Sequence, residues 1–143
     1  MARPAKRPKV FISHGAPDLW VAKQLEAHVK ACGADTFLDH DRIEFGDDFE
    51  EVIVSEAEDA TELLVLFTPE TSERPYVWLE LGMFLGARKR IIAVLYGVSL
   101  SDLATDQLTP VMLKRITSVE INKVDEYFKQ LKGRVEASEA QDG

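Results

Sequence analysis

Five short apolar runs, each separated from the next by a stretch with helical spacing or a polar loop, constrain this chain more than any other feature. They are Val10-Phe11-Ile12, Thr36-Phe37-Leu38, Leu63 to Phe67, Ile91 to Leu95 and Ile116 to Ile121. Runs of this length, rich in branched and aromatic residues, read as strands rather than helices. Leu63 to Phe67 holds nothing polar, the mark of a parallel strand covered on both faces. Ser118 and Glu120 interrupt the last run, which predicts an edge strand.

The intervening segments carry helix signals. Asp18 opens a stretch with Leu19, Ala22, Leu25, Ala27, Val29 and Ala31 at helix-like intervals, and Gly33 sits where a left-handed cap costs little. A polar loop from Asp39 to Gly46 precedes a second helix over about Asp48 to Asp59, with Phe49, Val52, Ile53 and Ala57 inward. Pro75 suits the first turn of a third helix that continues to Ala87. Tyr96 to Lys114 carries the weakest pattern, with a short helix or turn near Leu100, and Val124 to Val135 is a last amphipathic helix. Right-handed crossovers then dictate a parallel five-stranded sheet with helices on both faces, a flavodoxin-like α/β three-layer fold of strand order 2-1-3-4-5. That order puts a ligand crevice at the carboxyl ends of strands one and three, rimmed by Ser13–Pro17 and Thr68–Arg74.

At 143 residues the chain fits one domain, expected over residues 9–135 between a disordered basic arm at 1–8 and a polar, frayed tail at 136–143. Its net charge of -8 argues against nucleic acid as a partner. One cysteine, Cys32, forbids an internal disulfide, and three scattered histidines, at 14, 28 and 40, offer too few ligands for a zinc site. No apolar run approaches the ~18–20 residues of a membrane helix, so the expectation is a soluble, cytoplasmic protein without a membrane partner.

From Pro75 to Ala87, Glu80 is the sole charged residue in a helix otherwise apolar nearly all round. Such a helix is buried on most of its surface, and a carboxylate buried alone is costly. Either a cation meets it, with Arg42, Arg74 and Arg88 as candidates, or it lines a pocket. The backbone of Ser13-His14-Gly15 can cradle a phosphate or ribose, although such a turn is common without a ligand. Asp39 and Arg42 stand in a charged loop that is equally consistent with simple solvation. Tyr76 and Trp78 flank Glu80 as core aromatics or as a stacking platform.

Other chemistries lack their residues. No Gly-rich fingerprint follows the first strand, and no Gly-x-Ser-x-Gly elbow is present. Cys32 has no nearby base. A phospho-acceptor receiver needs acidic residues after strand one and an aspartate ending strand three, where this chain has Ser13-His14 and Thr68-Pro69.

Over roughly Lys9 to Val98 the chain resembles a Toll/interleukin-1 receptor (TIR) domain. Val10 to His14 resembles the family's first box, Phe37 to Gly46 its second box and loop, and Leu64 to Ser72 its third strand and the Ser/Thr-rich turn after it. The enzymatic branch carries a glutamate four residues after an aromatic, usually tryptophan; Tyr76-Val77-Trp78-Leu79-Glu80 matches with tyrosine in that place. The resemblance implies cleavage of the nicotinamide–ribose bond of NAD, with Glu80 catalytic. It places Phe11, Ser13, His14, Gly15, Asp39, Arg42, Tyr76 and Trp78 at the substrate. The product is ADP-ribose or a cyclic or conjugated form, and no metal or cofactor is implied beyond NAD as substrate. It further implies TIR–TIR self-association, as in head-to-tail filaments, and a nucleotide signal read by an effector in bacterial antiphage defence, as in stand-alone bacterial TIR proteins. The alternatives are a non-enzymatic interaction or adaptor module and a nucleoside deoxyribosyltransferase-like enzyme, whose expected Asp-x-Gly-Thr turn is replaced here by Thr71-Ser72-Glu73-Arg74.

Overall fold

The computed structural model describes residues 6–38, 48–71, 75–103 and 114–142. Strands β1 (Lys9–Ser13), β2 (Asp35–Leu38), β3 (Glu62–Phe67), β4 (Arg90–Leu95) and β5 (Ile116–Glu120) form one parallel sheet in the order β2-β1-β3-β4-β5. This is the expected flavodoxin-like arrangement. Among the described residues the α-helices are α1 (Leu19–Ala31), α2 (Phe49–Asp59), α3 (Pro75–Gly86), α4 (Leu100–Leu103) and α5 (Asp125–Asp142).

Alternation along each strand divides the core in two. Phe11, Leu63, Val65, Phe67, Ile91 and Ala93 face α2 and α3, meeting Ile53, Ala57, Val77, Leu81 and Phe84. Val10, Ile12, Leu64, Leu66, Ile92 and Val94 face α1 and α5, meeting Ala22, Leu25, Val29, Tyr127 and Leu131. Every residue of β3 is buried because helices cover both its sides.

The boundaries differ from the sequence reading where local polarity hid a tertiary contact. The last helix continues to Asp142 instead of ending at Val135, with Ser138 buried and its hydroxyl donating to Val135 O at 2.7 Å. Lys6 to Pro8 of the expected arm are also engaged: Lys6 Nζ donates to Asp59 O at 2.7 Å, Arg7 to Gly33 O at 2.6 Å, and Pro8 is buried. In α1 only Ala22, Leu25 and Val29 are buried; Leu19, Ala27 and Ala31 turn outward. Val52 of α2 is half-buried, and Ile121 belongs to a 3-10 turn after β5 rather than to the strand. Asp48 caps α2 by accepting Glu51 N–H at 3.1 Å. Gly33 takes a φ of 94° just past α1, where a side chain would be strained.

Lys89 Nζ donates to the carbonyls of Ala57, Glu58 and Ala60 at 2.8, 2.7 and 2.7 Å, closing the carboxyl end of α2. Glu62, which the sequence reading passed over, is 1% exposed at the start of β3. Both carboxylate oxygens meet the guanidinium of Arg134, and Tyr127 Oη donates to Oε2 at 2.7 Å. Burial pushes the Tyr127 hydroxyl far above its usual range, and the adjacent Glu62 charge adds to it.

Candidate active site

Glu80 is completely buried in the middle of α3. The sheet-facing stripe of this helix is Val77, Leu81, Phe84 and Leu85. The ring of Phe84 lies 5.5 Å from that of Phe11, so this flank of α3 leans over β1. Glu80 shares that flank one turn earlier, ~6 Å nearer the amino end of the helix. Ser13 follows Phe11 by two residues on the same sheet face, ~6.6 Å nearer the carboxyl end of the strand. A crossover helix runs antiparallel to its strands, so the two displacements have the same direction. Ser13 and Glu80 therefore lie on one face of the sheet, each displaced toward the carboxyl end of the strands from the Phe11–Phe84 contact.

The Ser13 hydroxyl is fully buried and has no hydrogen-bond partner among the described residues. A hydroxyl left so is costly, and its position over the switch point of the sheet suits a ligand group. His14 is buried beside it, with Nδ1 2.8 Å from Gly15 O. Gly15 is buried as well and starts the 3-10 turn Ala16–Asp18 that leads into α1. Phe11 is a core residue against Phe37 and Phe84, a floor beneath the site. Asp39 and Arg42 lie outside the described residues.

The two aromatics before Glu80 part company. Helical residues two apart point ~200° from one another, and Trp78 turns to the other flank, its ring 5.7 Å from Phe67. Tyr76, four residues before Glu80, stays on the Glu80 side and is 52% exposed. Of the pair, Tyr76 is the aromatic on the same side as the carboxylate. Sequence spacing held this information, since only the i, i+4 relation keeps two helical residues on one flank.

Glu80, His14, Tyr76 and Trp78 each hold a further interaction within the protein. Of the three arginines considered as partners for Glu80, Arg88 is ruled out. It is exposed past the far end of α3, ~12 Å along the axis. Arg42 and Arg74 lie outside the described residues. A second group at this end was missed by sequence reading: Asp18, Thr68 and Thr71 join the turns after β1 and β3. Their signal was weak, a hydroxyl residue at the end of a strand.

The open hollow of about 400 Å³ beside Lys9, Lys30, Asp35, Thr36 and Asp59 lies at the opposite, amino end of the sheet. Among the described residues no cluster of His, Cys, Asp and Glu could hold a metal ion, and no helix is long and apolar enough to cross a membrane. Burial pushes the Cys32 thiol up, against a smaller opposing pull from Lys132, which makes it a poor nucleophile.

Comparison with known proteins adds an independent line. A family profile described as "TIR domain" matches residues 10–132. A curated protein of Brachypodium distachyon, named as a probable 2′ cyclic ADP-D-ribose synthase, is 34% identical over 103 residues. That match takes in 71% of this chain and 46% of the plant protein, so the chain spans about half the length of that relative. The TIR domain of a Toll-related receptor from Hydra magnipapillata superposes with a TM-score of 0.65 at 22% identity, covering 87% of this chain and 94% of the other. The TIR domains of the activated Roq1 resistosome superpose with a TM-score of 0.59 at 19% identity, covering 94% and 84% respectively. At these identities the two structures speak to the fold alone.

Proposed function

The chain belongs to the TIR domain family, and from that premise we propose that it cleaves the nicotinamide–ribose bond of NAD with Glu80 as its catalytic carboxylate. The observation that carries this reading is a fully buried glutamate on the sheet face that also carries Ser13, whose buried hydroxyl has no hydrogen-bond partner among the described residues. The name of the Brachypodium relative, a cyclic ADP-ribose synthase, supports the same chemistry.

The bond that breaks joins ribose C1′ to the cationic nicotinamide nitrogen. Its electron pair returns to the ring and neutralises it. Positive charge then develops on the ribose, as in glycoside hydrolysis. In this reading the Glu80 carboxylate stabilises that charge or holds the ribose hydroxyls in line. Ser13 and His14 are proposed to bind the substrate, with Tyr76 stacking and with Asp39 and Arg42 contributing from the neighbouring loop. Capture of C1′ by water gives ADP-ribose and a proton. Capture by a hydroxyl of the same molecule gives a cyclic ADP-ribose and a proton; the relative's name favours this second route.

The burial of Glu80 in a single chain supports a second part of the reading, that assembly opens the site. A head-to-tail contact between copies, building a filament, would complete it, and the product would signal to an effector in antiphage defence. The deciding measurement is chromatography of NAD incubated with concentrated protein and with Glu80→Ala. Loss of NAD with the unmodified protein alone supports the proposal, and the product peak separates hydrolase from cyclase. Equal loss with both removes Glu80 from the mechanism. No loss at any concentration or with a crowding agent favours an interaction module.

A further inference from the structure

Asp18 stands where a helix cap is expected, directly before α1, yet its side chain makes no capping bond to that helix. Its Oδ2 instead accepts the hydroxyl hydrogen of Thr68 at 2.8 Å, fifty residues away in sequence. Thr68 is the first residue after β3 and is buried. Thr71, completely buried, accepts Thr68 N–H at 2.8 Å, places its hydroxyl 3.1 Å from that of Thr68, and donates its N–H to Thr68 O at 3.0 Å. The turn after β1 is likewise closed on itself, Asp18 N–H donating to Gly15 O at 3.0 Å. Two self-closed turns are thus joined by one charge-assisted hydrogen bond, a strong and directional kind.

These turns rim the candidate site. The first follows Ser13 and includes His14 and Gly15; the second precedes the helix that carries Glu80. We propose that the Asp18–Thr68 bond is a latch between them, which makes Asp18 and Thr68 positioning residues for NAD cleavage. The latch rests on the function proposed above. Neither residue needs to touch substrate. The bond fixes where the Ser13 hydroxyl stands relative to the Glu80 carboxylate, and misplacement by ~1 Å at a reacting centre can cost about a hundredfold in rate.

The test compares Asp18→Ala, Thr68→Val and the double variant with the conservative Thr68→Ser and Asp18→Asn, in the full chain. Three readouts are taken: thermal unfolding, kcat and KM for NAD, and hydrogen exchange at the amides of residues 14–18. Either disruptive change should lower kcat roughly tenfold with a smaller change in KM, and the double variant should be no worse than either, because one bond is broken once. Thr68→Ser should restore most of kcat, and Asp18→Asn should fall between. Protection of residues 14–18 should drop in both disruptive variants while β4 stays protected. A folded Thr68→Val with unchanged kcat, or a double variant whose loss is the product of the singles, overturns the latch. Should the disruptive variants unfold, a kcat for Thr68→Ser above that for Asp18→Asn supports the latch, and the reverse order refutes it. If the unmodified protein cleaves no NAD, the function proposed above fails on its own. The latch is then judged by exchange alone, unchanged protection at residues 14–18 counting against it.

Discussion

At the amino end of the sheet, buried or half-buried charges meet partners of opposite charge or backbone carbonyls. Glu62 receives Arg134 and Tyr127, Lys9 meets Glu56 and Asp59 at 2.7 and 2.6 Å, and Lys89 caps three carbonyls of α2. At the carboxyl end the Ser13 hydroxyl has no hydrogen-bond partner among the described residues, Glu80 is completely buried, and Asp18 serves Thr68 across the crevice instead of its own helix. Glu62 and Glu80 are both out of water, on opposite faces of the sheet, and both hold interactions within the protein. A satisfied ionic cluster adds order to a fold. A buried hydroxyl without a partner among the described residues, such as that of Ser13 at the switch point, suits a ligand site. The two ends teach that burial of a carboxylate by itself says little about its role, and that its neighbours decide.

The comparison breaks most visibly through Glu80→Gln. The amide keeps the shape of the side chain, so unfolding free energy should change by about 1 kcal/mol or less. NAD cleavage should fall on the order of a thousandfold, the scale of losing a principal electrostatic group. A glutamine variant that unfolds readily but retains its rate per folded molecule would move Glu80 to the structural side.

Glu62→Ala should do the reverse. It strands the Arg134 guanidinium and the Tyr127 hydroxyl, and should cost about 3 kcal/mol in urea unfolding, the low end for a broken buried pair because Arg134 keeps access to water. The rate of the surviving folded fraction should stay within about twofold. A large loss of rate without loss of stability would show that the ends are not separate.

A smaller effect is expected at Arg88, which ends α3 with a φ of 57°, its N–H donating to Leu85 O at 3.2 Å and that of Lys89 to Phe84 O at 3.1 Å. This is the left-handed cap that glycine favours. Arg88→Gly should therefore stabilise by about 1 kcal/mol, seen as a higher urea midpoint with activity unchanged.

The smallest is a pH effect. Hydrogen bonding to Lys9, backed by its charge, holds the Asp59 carboxyl below the usual carboxylate range. A lowered folded pKa means stability that is full above the ordinary value of ~3.9 and is lost as the pH falls through the lowered one. Asp59 is largely in water, so the effect is modest. Asp59→Asn should narrow the gap in Tm between pH 5 and pH 3; an unchanged gap would remove this pair from the acid response.

The sequence by itself determined the strands, their order and the helix that carries Glu80. Those follow from local hydrophobic period and from chirality, which act within a few residues or apply to every chain. Glu80 was legible because a lone charge in an apolar helix is visible in one dimension. Glu62 was not, because a glutamate at the edge of an apolar run reads as the start of a strand at the surface, and its partners come from 65 and 72 residues further along. The seven residues of α5 beyond Val135 were hidden for the same reason. The exclusion of Arg88, the Ser13 hydroxyl without a partner among the described residues and the Asp18–Thr68 bond were left to the tertiary structure. Each depends on which groups are brought together when the sheet closes, and hydrogen bonds and desolvation act only over the few ångströms that folding creates.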